Sequence, residues 1–475
     1  MSNQILGTIA IVICAIGYYF AFRLQQRHKM VFAVGLLLIG GFILRLYCAS
    51  DLFLHPWDEK YHALVAKNLI QHPLVPTLYE NPVLPYDYKN WWGNHIWVHK
   101  QPLPLWSMAL SLSIFGINEI ALRLPSIILS TLGIWVTFSI AKNLFNQKVA
   151  FIAAFLFSIH GLIIEITAGR VATDHIDLFF LFFIELAVLL ALKFANSKNQ
   201  PFNILCGISI GFAILSKWLP ALIVLPIWGL LVLATKDFTI KEIIKSGSIL
   251  LFTIIVVSLP WQIYIHLTFP QETLWENHFN ALHLTEALDN QGGSFFYHFD
   301  KMRMLFGELI YLPMLWFLYK SLKRPFNYHR LLLVIWIVVP FLFFSLAATK
   351  MQGYTLFTAP AIFIVTAIFW IYPKRYLNRY RFRWMIYVVL FLLLALPIRY
   401  SLERIKPFED RERNPQWAQE LRALNITNPK TVLFNVKHPI EAMFYNNCSA
   451  YGHSPDSSTV ESLISKGYHV KIMKD

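Results

Sequence analysis

Trp57-Asp58-Glu59 sets two carboxylates side by side just beyond Met30 to Cys48, an apolar stretch that reads as a membrane span. Charge next to a bilayer is costly and is seldom kept idle. A carboxylate in a partly desolvated cleft can take the proton from a hydroxyl, which is the work of a general base. The plainer reading is that Asp58 and Glu59 pair with Lys60 and Lys67 on a surface helix. A second acidic set lies in Gly169-Arg170-Val171-Ala172-Thr173-Asp174-His175-Ile176-Asp177, where Asp174 and Asp177 share one face of a helix. Such carboxylates could hold a divalent cation or orient a sugar. Arg170 and Asp174, one turn apart, could also simply pair, and an arginine bridged in that way still keeps donors for a phosphate.

Cations recur near these acids. Lys100 opens an interfacial helix that starts at Pro102 and Pro104, and it suits an anionic head group or plain snorkelling. Ser216-Lys217-Trp218 and Thr349-Lys350-Met351 put lysines at span ends where the charge rule of membrane proteins disfavours them. Held on the same side as the acids, Lys100, Arg170, Lys217 and Lys350 point to a bound anion such as a phosphate. Each could equally pair with a local acid. His95 and His99 stand four apart, a spacing that could bind a metal, though two histidines without a third ligand are weak evidence for one.

The elements that position these residues follow from composition. The chain has 475 residues, 56% of them hydrophobic and 14% charged, with a mean hydropathy of +0.50. A soluble domain is closer to one quarter charged. Apolar runs long enough to cross a roughly 30 Å hydrocarbon layer recur along it. Twelve spans are expected, near 4–22, 31–48, 121–141, 148–166, 175–193, 202–216, 219–234, 248–267, 303–319, 330–347, 354–372 and 383–399. The formal charge of +14 sits in alternate loops, such as Lys320, Lys323, Arg324 and Arg330, and argues for membrane topology and against nucleic acid. The basic loops belong inside and the acidic loops outside. The tryptophans at 57, 91, 92, 97 and 106 suit an interfacial belt, with stacking on a sugar ring as the sharper reading.

The fold class is therefore an all-α polytopic membrane protein, with a small α/β extracytoplasmic module at its C-terminal end. Residues 1–30 form an extra N-terminal span, read as retained and not as a cleaved signal. Residues 31–400 form the membrane domain, with outer loops 51–102 and 268–302. Residues 401–475 turn polar and alternate strand and helix signals. Cys14, Cys48, Cys206 and Cys448 show no disulfide or metal spacing.

The ordered motifs resemble the GT-C class of integral-membrane glycosyltransferases, above all protein O-mannosyltransferases and the aminoarabinose transferases that modify lipid A. The likeness is carried by Asp58-Glu59-Lys60-Tyr61-His62-Ala63, Lys100 to Leu103, Arg123-Leu124-Pro125-Ser126, Arg170 with Asp174, Leu215-Ser216-Lys217, Pro260-Trp261, and Ser345, Lys350, Tyr354 and Pro360. The resemblance implies a cell (inner) membrane enzyme that moves a sugar, with inversion, from a polyprenyl-phosphate carrier to a lipid, glycan or protein hydroxyl on the outer face. It implies Asp58 as base, with Glu59 or Asp174 orienting the acceptor or sharing a metal. Lys100, Arg170, Lys217 and Lys350 would neutralise the lipid phosphate. A divalent ion could be held by Asp58, Asp174, His99 and His278, and no nucleotide cofactor is needed. His99 stands where relatives often carry glutamate and Gln101 replaces a proline, which weakens a metal site. The segment Phe269–Asp300 resembles the family's flexible acceptor loop. The rival readings are a flippase for a lipid-linked substrate, which would carry charge at the midplane and repeated halves, and a non-catalytic scaffold.

Overall fold

The computed structural model describes residues 2–172, 175–235, 237–323, 327–373 and 381–473. Two long helices open the chain, α1 (Asn3–Gln26) and α2 (Met30–Cys48), followed by the short α3 (Asp58–Leu69) and α4 (Pro102–Phe115). The bundle continues with α5 (Glu119–Leu144), α6 (Gln147–Ser158), α7 (Gly161–Ile166), α8 (His175–Ser197), α9 (Gln200–Lys217), α10 (Val224–Ala234) and α11 (Ile240–Thr268). Then come α12 (Pro270–Thr285), α13 (Tyr297–Phe306), α14 (Tyr311–Lys323), α15 (Tyr328–Leu346), α16 (Ala359–Ile371) and α17 (Arg383–Ile405). Eight helical segments among the described residues are long and apolar enough to cross a membrane. The chain is an integral membrane protein, and α8, apolar on all sides, is buried at its centre.

Two expected spans are broken, each for a local reason. The run expected over 148–166 stops at Ser158, and the ring of His160 accepts the Ile163 N–H at 3.3 Å to start α7. The run expected over 303–319 is interrupted at Gly307, whose φ of 94° is comfortable only without a Cβ. The segment 102–115 is helical, but its fourteen residues rise only about 21 Å, too short to cross.

Residues 416–473 hold α18 (Gln416–Ala423), β1 (Thr431–Phe434), α19 (Pro439–Tyr445), β2 (Ser449–Ala450), α20 (Ser457–Ser465) and β3 (His469–Ile472). The strands form a parallel sheet in the order β2-β1-β3, with Val432 opposite Ser449 on one side and Val470 on the other. This sheet shares one apolar core with α3, α4 and the loop between them, through Val432, Phe434, Phe444, Leu64, Leu69 and Trp97. The Lys67 ammonium donates to the carbonyls of Met443 and Asn446, both at 2.6 Å. The loop after α3 is thus clamped between helix and sheet, which fixes the residues that follow it.

Candidate functional site

A cavity of about 1020 Å³ lies between the 51–101 loop, the ends of α9 and α15, and α12. Its polar wall includes Asp58, His99, Lys100, Asp177, Lys217 and His283. Asp58 is the first residue of α3, where the helix dipole favours negative charge. Its Oδ2 lies 3.8 Å from Lys100 Nζ, and both side chains keep some exposure, 16% and 26%. Lys100 lies two residues before α4, whose prolines set the entry angle of the chain.

Across the cavity, Lys217 ends α9 and pairs with Asp177 of the first turn of α8. Its ammonium also sits 5.0 Å from the centroid of the Tyr354 ring. The neighbouring Trp218 takes φ 67°, a left-handed conformation that a bulky residue adopts only when its surroundings impose it. The turn aims the chain from α9 into the cavity wall.

Glu59 faces the opposite way. About 100° round α3 from Asp58, its carboxylate accepts from Arg123 Nε at 2.6 Å and Nη2 at 2.9 Å, and from the His55 N–H at 2.8 Å. His175 Nε2 stands 3.2 Å away. Burial alone would push this carboxyl up, but Arg123 and His175 hold it well below the usual range. Gly169 packs so closely on Glu59 that a Cβ there would come within 2.3 Å of the carboxyl carbon. Glu59 therefore positions α3 and does not open to the cavity. Its expected part in orienting the acceptor or holding a metal has no geometric support.

Arg170 and Lys350 also stand apart from the cavity wall. Arg170 donates to Asp51 Oδ2 at 2.9 Å and to the Cys48 carbonyl at 3.0 Å, and Arg411 and Arg413 converge on the same carboxylate. Burial would raise the Asp51 carboxyl, but His55, Arg170 and Arg411 bring it well below its ordinary range. The Lys350 ammonium donates to the carbonyls of Phe344 at 3.1 Å and Ser345 at 2.7 Å, and to that of Ala347. It caps the C-terminal end of α15, a place where helix carbonyls favour a cation. Both readings as phosphate ligands are corrected by these bonds.

Asp174 lies outside the described residues. His99 Nδ1 meets Glu276 Oε2 at 3.0 Å, and its ring stacks on Trp91 at 4.6 Å with planes 3° apart. Burial, and then Lys100, hold His99 below its ordinary pKa. His278 is exposed on α12, and its neighbour His283 lines the cavity instead. Among the described residues no three His, Cys, Asp or Glu side chains gather to hold a metal. Of the expected ligands, the described Asp58, His99 and His278 do not gather into one metal-binding cluster.

The segment 269–300 is tied down more firmly than a free loop. Ala348 and Thr349 donate their N–H groups to Leu284 at 3.1 Å and His283 at 3.0 Å, and Lys350 N–H donates to Gln291 at 2.6 Å. The Glu276–His99 contact, the Asp51 hub and the Tyr354 ring under Lys217 escaped sequence reasoning, because each joins residues more than a hundred positions apart. Only the unusual outer position of Lys217 gave a signal.

Comparison with known proteins places this geometry. Residues 99–261 match the family model of dolichyl-phosphate-mannose-protein mannosyltransferases. Undecaprenyl phosphate-alpha-4-amino-4-deoxy-L-arabinose arabinosyl transferase 2 of Pseudomonas fluorescens is 27% identical over 288 residues, covering 56% of this chain and 49% of that protein. An uncharacterized protein of Aquifex aeolicus is 25% identical over 356 residues, 72% of this chain and 66% of it. The chain spans about half the length of the curated arabinosyl transferases it matches. ArnT from Cupriavidus metallidurans bound to undecaprenyl phosphate superposes with a TM-score of 0.63 at 16% identity, over 92% of this chain and 89% of that one. The oligosaccharyltransferase AglB of Archaeoglobus fulgidus, in complex with an inhibitory peptide and a dolichol-phosphate, gives 0.57 at 14% identity, over 91% and 68%. The fold is the one these two structures share, and the family model and the relatives agree with the resemblance read from the motifs.

Proposed function

We propose that this chain, built on the GT-C fold, transfers a sugar from a polyprenyl-phosphate carrier to an acceptor hydroxyl at the outer face of the cell (inner) membrane, with inversion at the anomeric carbon. The acceptor is a lipid, a glycan or a protein. The observation that carries the reading is that Asp58, Lys100 and Lys217 open into one cavity of about 1020 Å³. That is room for a sugar phosphate together with an acceptor group. The names of the arabinosyl transferase relatives, and the undecaprenyl phosphate bound by the ArnT neighbour, support the same donor class.

The chemistry follows from charge. The Asp58 carboxylate takes the acceptor proton as the acceptor oxygen bonds to the anomeric carbon. The bond from that carbon to the phosphate oxygen breaks, and the carrier leaves as a phosphomonoester with one more negative charge. Lys100 and Lys217 receive that charge from positions already set by the ends of α4 and α9, so little reorganisation is needed as it develops. A single displacement needs no covalent enzyme intermediate and inverts the carbon. The arrangement favours the transferase over the flippase, because the paired charges gather at helix ends on one side.

Twelve spans with an extracytoplasmic α/β unit over 401–475 complete the proposal, the broken runs α6–α7 and α13–α14 each counting once. Charged Lys217, ending α9 beside the cavity, takes up the carrier phosphate, and the apolar wall by Phe343 and Phe344 takes the start of the prenyl chain. The test is transfer from a polyprenyl-phosphate sugar by the purified protein. Turnover requires the donor, and lipid translocation without transfer would favour the flippase instead.

A further inference from the structure

A second cavity, of about 430 Å³, lies at the other end of the bundle, between the α5–α6 turn and the ends of α14, α15 and α16. Helix α15 links the two: Arg330 lines the second cavity and Phe344 the first, roughly 20 Å apart along the helix, about two thirds of the depth of a hydrocarbon layer. Lys320 and Arg330 line it, and no carboxylate does among the described residues. The Lys320 ammonium stands 5.6 Å from the centroid of the Tyr372 ring. Of the five N–H donors on the Arg330 guanidinium, one reaches the Lys320 carbonyl at 3.4 Å, and among the described residues neither cation forms an ion pair.

The rest of the wall mixes the polar side chains of Asn146, Asn327 and His329 with an apolar side. Trp316, Phe317, Ile368 and Ile371 line it, and the outer face of α14 presents Leu315, Leu318 and Leu322, which are 66%, 41% and 78% exposed. Two cations with no ion-pair partner among the described residues, beside polar donors and an apolar stripe facing the hydrocarbon, match a phosphate carried on an acyl or prenyl tail. A basic pocket between spans on the inner side is the form that lipid head-group sites take. The helix C-termini of α5, α14 and α16 also end here, so Lys320 and Arg330 must outweigh their carbonyls.

We propose that this second cavity binds the phosphate of an anionic lipid from the leaflet opposite the transfer cavity, through Lys320 and Arg330. The proposal rests on the membrane-spanning fold and not on the transfer reaction. It is tested by native mass spectrometry of the full chain in detergent, titrated with phosphatidylglycerol, diacylglycerol or inorganic phosphate. The wild type should retain one phosphatidylglycerol that survives Lys100→Met, and Lys320→Met with Arg330→Met should weaken retention at least tenfold. The charge-keeping pair Lys320→Arg with Arg330→Lys should retain the lipid. Equal retention by the methionine pair, or of diacylglycerol by the wild type, overturns the proposal. Displacement of the lipid by millimolar inorganic phosphate would assign the site to a soluble phosphate and overturn it too. If the methionine pair does not fold, phosphatidylglycerol must still raise the wild-type Tm where diacylglycerol does not, and a failure there is decisive.

Discussion

Asp58 and Glu59 are joined by one peptide bond, yet one carboxylate lines a cavity of about 1020 Å³ and the other is wholly buried. Glu59 has both oxygens engaged by Arg123, with His55 and His175 completing its shell. The Lys100 ammonium stands off from Asp58 at 3.8 Å, on a partly wet surface. The same division runs through the other charges. Asp51 holds Arg170, Arg411 and Arg413 in a closed hub that ties the membrane helices to the segment before α18. Lys217 and Asp177 meet in the cavity wall. A carboxylate enclosed by bidentate arginine holds the fold together, and one with loose partners on an open wall is placed to exchange them for substrate.

The comparison breaks first at Glu59. Glu59→Ala leaves Arg123 charged and buried, and should cost about 3–5 kcal/mol of stability. A thermal unfolding scan should show a large drop in Tm, whereas Asp58→Asn should move it little. Equal drops would erase the distinction. Next in size is Lys217→Met, which removes a cation from the cavity. It should weaken binding of undecaprenyl phosphate by about 10–100-fold, the range of a charge-assisted contact of about 1.5–3 kcal/mol. Calorimetric titration reads this directly.

Acid sharpens the same contrast. Burial, and then Lys100, hold His99 below its ordinary pKa, so the folded protein keeps it neutral at a pH where the unfolded chain protonates it. The unfolded state binds more protons in that window, so stability is present above the ordinary histidine range and is lost as pH falls through it. His99→Gln should flatten that phase in urea unfolding followed from pH 7 to 4. Glu59 and Asp51, both held low, lose their stabilising charge only below the ordinary carboxylate range. The smallest effect is at Lys350. Its replacement by Met removes the cap on α15 and should cost about 1 kcal/mol, with donor affinity unchanged. An affinity loss as large as that of Lys217→Met would mean that Lys350 turns into the cavity when the donor binds.

Much of this architecture could be read from local pattern. Apolar runs and loop charge located the helices α1, α2, α5, α8 and α15, because span length and charge bias are written in contiguous residues. Asp58 could be found because an acidic pair directly after a span is rare. Its separation from Glu59 could not, since the choice of face depends on Arg123 of α5, and nothing near Glu59 in the chain announces it. Arg170 and Lys350 misled for a related reason. A cation on the acidic side of the membrane signals an anion, but Arg170 meets the Asp51 carboxylate and Lys350 meets the neutral carbonyls at the end of α15. The break at His160 was hidden because an apolar run carries no mark of a cap inside it.

The central claim is that Asp58 removes the acceptor proton, and it is tested most directly by single-turnover transfer from a polyprenyl-phosphate sugar by Asp58→Asn beside the wild type. The account predicts a rate lower by about 10²–10⁴-fold, with donor binding and Tm close to wild type. Transfer at the wild-type rate by a folded Asp58→Asn would contradict it.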